Sequence, residues 1–108
     1  MLAWHTTGIW DNPQDFGLTM VKDVDIADSY EFDMIAIWKT EDGRYLIGTD
    51  SGCSCPTPFE NTKVEDLTEV RTLADVADFA RATWSDSYYD EQEREEGVAR
   101  LVDRLELG

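Results

Sequence analysis

Cys53 and Cys55, one residue apart in Asp50-Ser51-Gly52-Cys53-Ser54-Cys55-Pro56, are the first residues of this chain whose type and spacing suggest chemistry. Two thiolates so placed can share a soft metal ion, but a structural zinc site needs four ligands. Beyond the thiols the chain offers only His5 and carboxylates. The zinc reading therefore takes Cys53, Cys55, His5 and Asp50, and it requires the N-terminus to fold back over the loop. A redox pair is disfavoured, because a disulfide between adjacent-but-one cysteines closes a small strained ring and no basic neighbour lowers a thiol pKa. The plainer expectation is a pair of reduced thiols packed under a stiff loop, with no metal and no cofactor. Asp50, Gly52, Cys53, Cys55, Pro56 and Pro58 are then structural loop residues.

Carboxylates form the second candidate set. Asp86, Asp90, Glu91, Glu93, Glu95 and Glu96 place six acids within eleven residues, offset by Arg94 alone. Asp23 and Asp25 lie two apart on a predicted strand, about 6.7 Å along its face, close to twice the ~3.4 Å rise per phosphate of one DNA strand. Such a surface can imitate DNA in the groove of a nucleic-acid-binding protein; the blander reading is a solvated acidic face. Thr49-Asp50-Ser51-Gly52 carries letters found around a serine nucleophile, yet a triad needs geometry, and His5 is the one histidine in 108 residues. Neither a phosphate-cradling glycine loop nor a calcium loop is present. These residues predict a protein that is not an enzyme.

Charge narrows the partners. With 24 acidic residues against 9 basic ones the net charge is −15, which repels phosphate backbones and anionic membrane surfaces and steers the chain toward a basic protein. The longest apolar run, Met34 to Trp38, is far short of the roughly 20 residues of a membrane span. The start MLAWHTTGIW lacks a basic, then apolar, leader, so a reducing cytoplasmic setting is expected.

The elements that must position these groups can be read in order. Twelve aromatic rings and 42% apolar content in 108 residues suffice for one core, so a single domain over 1–108 is expected. Residues 1–16 read as an irregular segment with a loop at Asp11-Asn12-Pro13. Its tryptophans Trp4 and Trp10 either cover the sheet or leave one ring exposed as an anchor for a partner or a second copy. Leu18, Met20, Val24 and Ile26 predict a strand with one apolar face, broken by Lys22, with Val21 out of pattern. Met34-Ile35-Ala36-Ile37-Trp38 is apolar on both pleat faces and predicts the middle strand, covered on both sides.

Thr40-Glu41-Asp42-Gly43 predicts a hairpin turn into a strand over 44–49. That strand carries Tyr45, Ile47 and Thr49 on one face, Leu46 and Gly48 on the other. Residues 65–70 fit a short strand or a linker. Thr72 and Asp75 form a capping box for a helix over 73–84. Ser87 with Asp90 suggests a second cap, and Val98, Leu101, Val102 and Leu105 mark the buried stripe of a second helix, weakened by Gly97. Its acid-rich first half has few apolar anchors, which predicts that it frays or is held by a partner. The sheet and loop thus occupy 18–70 and the helices 72–106: an α+β domain with an antiparallel sheet of three to four strands and two C-terminal helices.

The block YEFDMIAIWKTEDGRYLIGTDSGCSCPTPFEN, followed by KVEDLTEV and a helix, resembles an uncharacterised family of small proteins of actinobacteriophages, including mycobacteriophages. The likeness covers about Val21 to Ala80, and Asp50 to Glu60, a DSGCSCPxPFE string, is its most specific part. The family brings no activity and no site residue. It implies a phage gene product acting in the cytoplasm of a bacterial host. The expected function is accordingly a non-enzymatic accessory protein binding a host protein through Asp86, Asp90, Glu91, Glu93, Glu95, Glu96, Asp23 and Asp25, as an inhibitor or a DNA mimic. The alternatives are a zinc- or thiol-dependent domain using the Cys-x-Cys loop, and a self-associating structural protein.

Overall fold

A computed structural model describes residues 8–10, 12–26, 31–53, 59, 62–85 and 90–107. Four strands, β1 (Leu18–Asp25), β2 (Glu31–Thr40), β3 (Tyr45–Cys53) and β4 (Thr68–Val70), lie side by side in chain order and pair antiparallel. Two helices follow, α1 (Leu73–Trp84) and α2 (Glu91–Val102). The α+β class expected from the sequence is the class observed.

The apolar run at the centre of β2 sets this arrangement. Met34 is 5% exposed, and Ile35, Ala36, Ile37 and Trp38 are fully buried. Side chains alternate across a strand, so Ile35 and Ile37 enter a core with Ile47, Val76, Trp84 and Leu101 under the helices. Met34, Ala36 and Trp38 enter a second core with Ile9, Leu18, Leu46 and Phe59 on the opposite face. Among the described residues no α-helix covers this second face; Trp10, Val64 and Leu67 pack on it instead. Two covers on one sheet explain why β2 can be apolar at consecutive positions.

The β2–β3 turn follows the sequence closely. Thr40 N–H donates to Arg44 O at 2.8 Å and Gly43 N–H to Thr40 O at 3.1 Å. Gly43 takes φ +89°, a left-handed conformation that costs glycine little. The Asp42 carboxyl sits below its ordinary range because the Thr40 hydroxyl, and after it Arg44, hydrogen-bonds to it. Beyond the turn, Tyr45 and Ile47 face the helices while Leu46 faces the second core, the split that the alternation predicts.

β1 departs from the expected single apolar face. Met20 pairs with Trp38, but Lys22 pairs with Ile37, so Val21 is a bulge. One extra residue reverses the faces beyond it. Leu18 and Met20 therefore pack into the second core, and Val24 and Ile26 into the helix-side core. Lys22 falls on the helix side, where its ammonium donates to Asp103 O at 2.7 Å. Val21, the bulged residue, is 38% exposed.

Further boundaries differ from expectation: β3 runs on to Cys53, past the expected end at residue 49, so Asp50, Gly52 and Cys53 lie in the strand rather than in a loop. Pro13–Phe16 forms a 3-10 turn rather than part of an irregular loop, closed by Gly17 at φ +72°. Residues 65–70 are divided: Val64–Asp66 is a second 3-10 turn and Thr68–Val70 is β4. α2 ends at Val102, so Leu105 reaches the core from beyond the helix, after Arg104 at φ +57°.

Candidate functional site

Three lengths of chain hold most of the predicted site residues: α2 with its acids, β1 with Asp23 and Asp25, and the end of β3 with its loop. α2 is capped by Asp90 itself, whose carboxylate accepts from Glu93 N–H at 2.8 Å; Ser87 lies outside the described residues. Gly97, Val98 and Leu101 are buried against the sheet. A Cβ on Gly97 would lie 2.6 Å from Ile26 Cγ2 and 2.8 Å from Trp84 Cζ3. The glycine thus lets the helix backbone approach β1 and α1 closely.

The acid-rich half of α2 is formed rather than frayed. Arg81 of α1 donates through Nε and Nη2 to both oxygens of Glu95, each at 3.2 Å, which raises the Arg81 pKa further. Arg94 reaches Ser85 O at 3.3 Å instead of pairing with Asp90. With Asp90 committed to the cap and Glu95 to Arg81, Glu91, Glu93 and Glu96 are exposed and make no ion pair among the described residues. Asp86 lies outside the described residues.

Asp23 and Asp25 do not join this set. They stand opposite Ala36 and Met34, residues of the second core, so they point to the face away from the helices. Asp25 accepts from Asp33 N–H at 3.0 Å, which closes the β1–β2 end of the sheet. The seven described acids are therefore divided between two faces, because the pleat of β1 and the packing of α2 send them opposite ways.

The Asp50 to Glu60 string has a structural task at its described ends. Asp50 accepts from Ser51 N–H at 3.0 Å and, through its second oxygen, from Phe59 N–H at 2.6 Å. That bond pins Phe59, at φ +61°, where its fully buried ring meets Trp38 edge-on at 5.0 Å and stacks on Trp10 at 5.8 Å. Trp10 thus covers the sheet. Gly52 pairs with Phe32, and Cys53 is the last residue of β3, opposite Glu31. His5, Cys55, Pro56 and Pro58 of the zinc and loop readings, and Trp4, lie outside the described residues. Among the described residues no group of three or more His, Cys, Asp or Glu is placed to hold a metal ion.

A feature that sequence reasoning missed lies between β4 and α1. An open groove of 490 Å³ has Glu69, Val70, Arg71, Asp75, Asp78 and Phe79 on its walls. Asp75 Oδ2 accepts from Arg71 N–H at 3.0 Å and Thr72 N–H at 3.2 Å, and the Arg71 bond leads in holding its carboxyl below the usual 3.8. Glu69 binds Arg71 at 3.2 Å and Arg44 at 3.7 Å. The named wall residues lie within 69–79, and the passage from β4 into α1 brings them together; the Thr72/Asp75 box was visible in the sequence, the groove beside it was not.

Among families, the model of the Domain of unknown function (DUF7574) matches residues 7–107, leaving out the first six residues and the last. The chain belongs to the DUF7574 family. That match takes in the N-terminal cover, both cores, the groove and α2 of this DUF7574 chain. No curated protein and no solved structure matches it. No helix among its described residues is long and apolar enough to cross a membrane.

Proposed function

We propose that this DUF7574 protein is a non-enzymatic binding protein that engages a basic protein partner through the outward acids of α2. The observation that carries the reading is that, among the described residues, Glu91, Glu93 and Glu96 are exposed and have no ion-pair partner while their helix is capped by Asp90 and packed closely at Gly97. A helix already formed loses less backbone freedom on binding than a mobile segment would. A net charge of −15 adds long-range attraction for a cationic surface.

The likeness to actinobacteriophage proteins supports a phage accessory protein acting on a host protein in the bacterial cytoplasm. A nucleic-acid-binding host protein suits the charge, with inhibition or DNA mimicry as the outcome. The DNA-mimic form of the reading rests on the α2 acids alone, since Asp23 and Asp25 face elsewhere.

Affinity capture from an actinobacterial lysate, followed by mass spectrometry, tests this. The wild-type protein should retain a basic host protein at low salt and lose it as salt rises. The triple variant Glu91→Gln, Glu93→Gln, Glu96→Gln should retain little of it. Equal capture by the triple variant, or no capture above background at low salt, would remove α2 as the binding surface.

A further inference from the structure

β4 ends the sheet, so one of its edges faces solvent, and the hairpin determines which backbone groups lie there. Thr40 N–H donates to Arg44 O, which points the backbone groups of Arg44 at β2. In an antiparallel ladder these directions alternate, so the groups of Tyr45 and Ile47 point at β4. Val70 and Thr68 stand opposite them and point back. Glu69, between the two, presents its N–H and C=O outward, and among the described residues neither has a backbone partner. The groove of 490 Å³ runs beside this edge.

We propose that the outer edge of β4 accepts an extended cationic peptide segment as a fifth strand. The Glu69 N–H and C=O form the backbone pair. On the helix side, an apolar residue of the peptide covers Phe79 and the rim of Val70, and a Lys or Arg lies beside Asp75 and Asp78. Strand addition takes its affinity from main-chain hydrogen bonds and its selectivity from alternate side chains.

Three features favour this site and this occupant. Asp75 stays ionised through its bonds to Arg71 and Thr72, and Asp78 is exposed on the same wall. The whole chain carries −15, so an acidic strand is repelled. The other edge of the sheet, along β1, is broken by the Val21 bulge, a device that blocks strand addition. β4 is short, but it has no bulge and has a groove alongside. This surface is separate from the α2 acids, so either can fail alone.

The test uses the full-length protein, 15N-labelled, titrated at low salt with the blocked peptide acetyl-KVKVKVK-amide. Binding should shift the amide resonances of Glu69, Val70 and Phe79 and slow hydrogen exchange at Glu69. The same peptide N-methylated at every residue, and acetyl-EVEVEVE-amide, should not bind. Glu69→Pro removes the outward N–H without touching the β3 ladder and should weaken binding about fivefold, the equivalent of one hydrogen bond. Glu69→Gln should bind within about threefold of wild type, and Asp78→Lys should bind more weakly. The triple α2 variant should bind as wild type does. Absence of binding by the cationic peptide, equal binding by its N-methylated form, or shifts confined to α2 would overturn the proposal.

Discussion

Gly97 and Gly48 show how differently one residue type can be held. By propensity alone, Ala in place of Gly97 should stabilise α2 by about 1 kcal/mol. Its Cβ, however, would press on Ile26 Cγ2 at 2.6 Å and Trp84 Cζ3 at 2.8 Å, one branched at Cβ and the other a buried ring. Overpacking costs about 1–3 kcal/mol, so Gly97→Ala should lower the urea midpoint. A Cβ on Gly48 would meet Leu67 Cδ2 at 2.5 Å, the far end of a side chain that can turn aside. Gly48→Ala should therefore change the midpoint less than Gly97→Ala does, and equal losses would contradict this account. The sequence showed a glycine in a helix; that two other elements press against it could not be read from spacing. Asp50 is similar. Its place in a specific string was visible, but its bond to Phe59 N–H spans nine residues.

At the level of elements, α1 is the part most fully legible. Thr72 Oγ1 accepts from Asp75 N–H at 3.1 Å and the Asp75 carboxylate returns to Thr72 N–H at 3.2 Å, the box that the spacing predicts. Because the folded chain holds the Asp75 pKa below 3.8, the charged form is favoured by folding. Its contribution is complete above about pH 3.8, the ordinary value, and is lost as pH falls through the lower folded value. Comparing urea midpoints of wild type and Asp75→Asn across pH should show the widest gap near neutrality, narrowing in acid. A gap independent of pH would refute the charged cap. β1 is the opposite case, since a bulge adds no letter that differs from an ordinary strand residue. Its only trace is Val21, an apolar residue out of phase, whose meaning depends on the partner strand.

For the molecule as a whole, charge acts on stability as well as on binding. Among the described residues Arg44, Arg71 and Arg81 are paired with carboxylates, and nine basic residues cannot offset 24 acids. Salt shortens the Debye length from about 30 Å at 0.01 M to about 10 Å at 0.1 M, which should relieve self-repulsion more than it weakens the few exposed pairs. The melting temperature should rise as sodium chloride is added over this range; a fall would mean that the ion pairs dominate.

The amino-acid sequence determined the local devices and the need for two covers. A strand apolar at five consecutive positions cannot leave either face wet, and the Asp-Gly turn and the Thr-x-x-Asp box act within a few residues of themselves. What covered the second face and which way the acids pointed depended on contacts between residues far apart in the chain. Those were decided by how the bulge in β1, the Asp50–Phe59 bond and the close approach at Gly97 let the layers meet.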